Sequence, residues 1–194
     1  MNSQHLFSIL IFLLCFNGLE AQIKYEREYR VSKEEVPQLA LDFIHAANLS
    51  EKVKWFKEEG HDGVSLEAKA KLNAKWYSID FDPGGQIEDI EIDVDTKSLN
   101  ETLRNSIATY LESNYKKSKI RKTQVQYVGS EANLLQVLKQ AGKVEAIDIM
   151  TNYELTVNVK EKRSFRKMEF LFDEKGALIR KTKIVVKNTD NLEY

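Results

Sequence analysis

Hydrophobic residues change their spacing several times along the chain, and each change marks an element. Val36, Leu39, Ala40, Phe43, Ile44 and Ala47 recur at helical intervals and form one apolar stripe. Ser32 and Glu35 precede it at capping-box spacing, Pro37 belongs in its first turn, and Asn48 ends it. The period then drops to two. Strands are predicted over 53–58, 64–72, 75–82 and 86–94. In the second of these, Val64, Leu66, Ala68, Ala70 and Leu72 share one face, and Ser65, Glu67, Lys69 and Lys71 share the other. A turn-rich loop over 59–63, the pair Asn73-Ala74 and the run Pro83-Gly84-Gly85 separate the strands.

The pattern then starts again. Ser98 and Glu101 repeat the capping-box spacing, and Leu99, Leu103, Ile107, Tyr110, Leu111 and Tyr115 form a second helical stripe. Strands follow over 120–128, 153–159, 163–173 and 178–186. The halves can be matched by position: Phe43-Ile44 with Tyr110-Leu111, and Phe81-Asp82 with Gly85 against Phe172-Asp173 with Gly176. The second half is longer mainly through 129–150, where Leu134, Leu135, Val137 and Leu138 predict a short helix. The expected fold is therefore α+β. It has two repeated modules, each a helix packed on a four-stranded antiparallel meander sheet, over 22–96 and 97–187, with a polar tail over 188–194.

Residues 1–21 read differently. Leu6 to Phe16 is almost continuously apolar over about eleven residues, the length of a signal-peptide core and too short to span a bilayer. Cleavage is expected between Ala21 and Gln22, with no membrane span afterwards. The chain's single cysteine, Cys15, lies in the removed segment, so the remaining chain has no disulfide and no thiol nucleophile. The whole chain carries 29 basic and 30 acidic residues. A charge so near zero gives no general attraction to nucleic acid or anionic lipid. The expected location is the periplasm or the cell surface.

The remaining chain offers little chemistry. His45 lies beside the first apolar stripe and His61 in a loop next to Asp62, with no pair at ligand spacing, so no metal or cofactor is expected. Asp80, Asp82, Asp89, Glu91, Asp93 and Asp95 form an acidic region. Alternation along one strand would spread the last four over more than about 10 Å instead of converging them on an ion. No phosphate-cradling glycine loop or nucleophile elbow is present, and no catalytic residue is assigned.

Several stretches resemble a known family. They are Val53-Lys54-Trp55-Phe56-Lys57-Glu58, Leu66-Glu67-Ala68-Lys69, and Tyr77-Ser78-Ile79-Asp80-Phe81-Asp82 followed by Gly85. Lys119-Ile120-Arg121-Lys122, Tyr153-Glu154-Leu155 and Glu169-Phe170-Leu171-Phe172-Asp173 echo them in the second half. Together they are similar to exported bacterial proteins with tandem PepSY-like domains, also called beta-lactamase-inhibitor-like. The resemblance implies a helix over a curved antiparallel sheet in each half, and inhibition through a concave sheet surface. The chain departs from the inhibitor that gave the family its name, because cysteines are missing after residue 21.

One sheet face packs under each helix and the other is left for solvent or a partner. In the first half that open face should carry Phe56, Glu67, Lys69, Trp76 and Asp80. Trp76 and Phe56 are either partner anchors or packing against the other half. His61 and Asp62 belong to a hairpin loop that either inserts into a partner's cleft or is an ordinary turn. In the second half Lys122, Gln124, Glu154, Thr156, Lys167 and Glu169 should form the matching surface. The expected function is a non-catalytic exported protein that binds or inhibits another protein or peptide through these faces. Sensing of a small ligand or ion, or a structural role in the envelope, is the alternative.

Overall fold

The computed structural model describes the backbone of residues 22–60, 63–142 and 148–186. The signal segment, the cleavage-site residue Ala21, the loop residues His61 and Asp62, and the polar tail therefore lie outside the described residues.

Among the described residues nine strands follow in chain order: β1 (Gln22–Arg30), β2 (Val53–Gly60), β3 (Gly63–Leu72), β4 (Lys75–Phe81), β5 (Ile87–Asp93), β6 (Ser118–Val128), β7 (Met150–Glu161), β8 (Ser164–Asp173) and β9 (Leu178–Val186). Each pairs antiparallel with the next. With nine strands in alternating directions, the first and last run the same way, so closing the ring requires one parallel pair. That pair is β1 with β9, in register from Gln22 opposite Thr182 to Glu26 opposite Val186. Three helices lie on the sheet: α1 (Gln38–Ala46), α2 (Glu101–Asn114) and α3 (Glu131–Lys139).

The two-module expectation is thus corrected to one continuous nine-stranded sheet. Two observations overturn it. First, β5 and β6 are hydrogen-bonded neighbours from Asp89 opposite Val128 to Asp93 opposite Gln124, so no sheet boundary separates the halves. Second, α3, expected as an insertion in the second half, buries Leu134, Val137 and Leu138 in the same cluster as Phe43 and Ile44 of α1. That cluster also takes Trp55, Ala68, Ile79, Phe81 and Ile90 from the sheet. The other cluster joins Leu103, Ile107 and Leu111 of α2 to Leu155, Val157, Met168, Phe170 and Phe172. Each such side chain contributes roughly 1.5–3 kcal/mol of burial, so the helices hold firmly to one face of the sheet.

The structure keeps some of the expected local signals and moves others. The Ser32–Glu35 pair caps a one-turn 3-10 segment, with Glu35 Oε1 accepting from the Ser32 amide at 2.9 Å, and Pro37 is the N-cap of α1. At α2 the cap is Asn100, whose side chain accepts from the Leu103 amide at 2.9 Å, and not Ser98. Leu39, placed in the first stripe, is 59% exposed.

The Phe-Asp-x-x-Gly element does recur as a local structure. Asp82 Oδ1 accepts from the amides of Gly84 and Gln86, and Asp173 Oδ1 accepts from those of Lys175 and Ala177, all at 2.8–2.9 Å. Gly85 and Gly176 then take positive φ angles of 87° and 81°. Both are pressed against helices. A Cβ would lie 2.8 Å from Pro37 Cβ at Gly85 and 2.5 Å from Ser106 Cβ at Gly176. Gly85→Ala and Gly176→Ala should each cost about 2–4 kcal/mol, from the left-handed backbone plus overpacking. Urea unfolding checks this, and a cost under about 0.5 kcal/mol at either site would contradict the close helix–turn approach.

Candidate functional site

Because side chains alternate across a strand, a sheet whose apolar residues all face the helices must send its polar residues to the other side. Here that side is the inside of the ring. The inner wall encloses a cavity of about 330 Å³. It is lined by nine acidic residues, among them Glu28, Glu58, Glu67, Asp80, Asp89, Glu91, Glu154 and Glu169, against four basic ones, Lys69, Lys122, Lys167 and Arg180. Most of these are the residues expected on two separate open faces. The structure brings them together in one lumen.

Two carboxylate triads stand on this wall, in each of which the oxygens lie within 4.8 Å of one another: Glu28, Glu58 and Glu67, and Asp80, Asp89 and Glu91. Register explains both. Glu67 faces Asp80 across β3–β4, and Asp80 faces Asp89 across β4–β5. Acidic residues that are spread along one strand therefore meet their neighbours across strands.

The first triad carries its own cation. Lys69 Nζ is 2.8 Å from Glu28 Oε1 and 2.9 Å from Glu67 Oε2, and lies 4.7 Å from the centre of the Phe56 ring. Burial works to lower the Lys69 pKa, but Glu67 and Glu28 outweigh it and hold the ammonium charged well above its usual range. Elsewhere on the wall Arg180 approaches Glu169 at 3.6 Å and Lys122 approaches Asp93 at 3.7 Å.

The second triad is held by amides. Asn152 Nδ2 donates to Gln126 Oε1 at 3.1 Å, and Gln126 Nε2 donates to Asp89 Oδ2 at 3.1 Å, a relay across β7, β6 and β5. The pKa values of Asp80 and Glu91 are raised well above the usual carboxyl range. Burial is the main cause for both. Asp89, Glu67, Glu58 and Glu154 add repulsion at Asp80. Glu154, Asp80 and Asp89 do so at Glu91, where Lys122 pulls the other way.

Of the residues expected to bind a partner, Glu67, Lys69 and Asp80 line the lumen. Phe56 shares their face under Lys69. Trp76 stands on the same face at the start of β4, 47% exposed, with Lys71 Nζ 5.7 Å from its ring centre. In alternating strands the β3–β4 and β7–β8 hairpins lie at one end of the ring, so Phe165, 60% exposed near the start of β8, edges the same mouth as Trp76. Phe165 was missed, although its place opposite Lys160 follows from the period of two. His45 is exposed on α1, outside the lumen.

No protein-family model matches the chain, and no curated protein matches it. Two solved structures are similar. One is a DUF2874 family protein from Bacteroides ovatus, with 12% identity, 76% of this chain and 87% of that chain covered, and a TM-score of 0.50. The other is a BLIP-like protein from Bacteroides fragilis, with 17% identity, 82% and 92% covered, and a TM-score of 0.45. The likeness to the first is one of fold.

The raised carboxyl pKa values fix a pH dependence. A carboxyl whose folded pKa exceeds its unfolded value supports stability at low pH, and that support is lost as pH rises through the folded value. Without added ions, the melting temperature should fall as pH climbs from about 4 into the raised range of Asp80 and Glu91. Asp80→Asn should flatten this fall and raise the melting temperature at pH 7. A variant melting curve that follows the wild type at every pH would contradict the crowding of charge in the wall.

Proposed function

We propose that the chain is an exported, non-catalytic binding protein that engages a polypeptide partner at the mouth of the polar ring. The observation that carries this reading is the continuous acidic inner wall opening beside Trp76 and Phe165. Exposed aromatic side chains provide large, rigid contact area, and such residues dominate binding energy at interfaces. The wall behind them favours a basic side chain entering from the partner, since its acidic residues outnumber its basic ones. Export rests on the apolar run 6–16 and the expected cleavage after Ala21.

The test is affinity capture from an envelope extract, followed by titration of the purified partner against wild type and variants. A captured protein should bind at least about tenfold more weakly to Trp76→Ala, the scale of an aromatic anchor. Its affinity should also fall with added salt. Unchanged affinity in a Trp76→Ala, Phe165→Ala double variant would move the interface away from this mouth.

A further inference from the structure

Charge is unevenly spread along this chain, although its sum is near zero. Residues 116–122 hold five basic side chains and no acidic one, and residues 160–167 hold five basic and one acidic. The sheet sets the two runs side by side. Ser118 pairs with Val159, and the Lys160 amide donates to the Lys117 carbonyl at 2.8 Å. Both runs extend beyond the ladders on either side. The register of β6 with β5 begins at Gln124 and that of β8 with β9 at Met168, yet β6 starts at Ser118 and β8 at Ser164. With β7 between them, they form a basic tongue at the same mouth as Trp76.

One face of this tongue continues the inner wall. On β7, Glu154, Thr156, Asn158 and Lys160 point the same way. Lys119 and Lys167 flank Asn158, and Phe165 faces Lys160. With its oxygen turned toward Arg121, the Asn158 amide accepts from Nε and Nη2 at 2.9 and 3.1 Å, so that guanidinium is held by a neutral group. Among the described residues, the ion pairs of the tongue are Lys122 with Asp93 at 3.7 Å and Arg166 with Glu161 at 4.0 Å. Lys119, Arg121, Lys160 and Lys167 belong to neither. Guarding a sheet edge against stray pairing accounts for lysines on edge strands. It does not account for Lys160, on the central strand of the three, or for Phe165, an exposed aromatic on an outer one.

We infer that this face binds an acidic, extended segment of the polypeptide partner, and that a basic residue of the same segment reaches the acidic wall beyond. The inference rests on the reading of the mouth as a polypeptide-binding site, and it names the charge pattern of what enters. Alternate residues of an extended chain repeat every roughly 7 Å, so two carboxylates at that spacing can meet Lys160 and the Lys119–Lys167 row together. Six residues back along β7 the same face becomes acidic at Glu154, and on β8 Glu169 follows Lys167 by two residues. A nucleic-acid strand carries a phosphate at every step and would be repelled there. A flat lipid surface cannot follow a face that curves into a ring. A polypeptide can change the sign of its charge within a few residues.

The experiment is selection of a random-peptide display library on the full chain, then fluorescence anisotropy with the enriched peptides as synthetic probes. Enriched peptides should carry two or more acidic residues, with a Lys or Arg about six positions away. The double variant Lys160→Glu, Lys167→Glu should bind them at least about tenfold more weakly, and Lys160→Gln, Lys167→Gln should show a smaller loss in the same direction. Lys139→Glu, Lys175→Glu changes the net charge equally, away from this mouth, and should keep affinity within about twofold. An oligothymidylate, or phosphatidylglycerol vesicles at equal charge, should bind at least about tenfold more weakly than the peptides. No enrichment, enrichment of segments without acidic residues, an equal loss in the Lys139, Lys175 variant, or tighter binding of the oligonucleotide or the vesicles would each overturn the inference. Enriched segments without acidic residues that still need Trp76 would leave the binding mouth standing. Acidic segments that need Lys160 and Lys167, but neither Trp76 nor Phe165, would uphold this face and defeat the aromatic anchor.

Discussion

The whole structure depends on the pleat of one continuous, closing sheet. Every strand sends alternate residues to opposite faces, and the three helices claim one of those faces throughout. Once Ile79, Phe81, Ile90, Leu155 and Phe170 are drawn under helices, Ser78, Asp80, Glu91, Glu154 and Glu169 must point the other way. In an open sheet they would meet water. Here the parallel seam between β1 and β9 bends that face inward, so side chains with ordinary surface chemistry become the lining of a cavity.

That enclosure changes what the charges do. On an open face, a Lys–Glu pair is worth little, and water weakens the repulsion between neighbouring carboxylates. In the lumen, Lys69 is held between Glu28 and Glu67, while burial and neighbouring carboxylates make Asp80 and Glu91 resist ionisation. The wall's amides, Asn152, Gln126 and Gln124, are buried with them. The site is therefore a product of topology more than of any single motif.

Much of this was legible in the residues. The period of two located most of the strands, and it placed many of the lumen residues on polar faces, though on those of two separate sheets. The helical stripes of α1 and α2 were also readable, except at Leu39. Closure was not legible. The first strand predicted from the sequence begins at residue 53, yet β1 runs from Gln22 to Arg30 and completes the ring. Its sequence, Gln-Ile-Lys-Tyr-Glu-Arg-Glu-Tyr-Arg, alternates polar with mixed residues and carries no strong apolar signature. Nor could a single-strand reading see that Asp80 and Asp89 would be opposite each other, because register across a turn depends on the bulge between Asp80 and Phe81. The recurrence of Phe-Asp-x-x-Gly was real as turn chemistry, but it says nothing of sheet boundaries. That is why the two-module expectation failed while its parts survived.

The most direct test is detection of backbone hydrogen bonds by through-bond NMR couplings across two ladders: β5 with β6 around Glu91 and Gln126, and β1 with β9 around Lys24 and Ile184. A single closed sheet predicts couplings in both. Their absence between β5 and β6, with intact couplings inside β2–β5 and β6–β9, would mean two sheets and no shared inner wall.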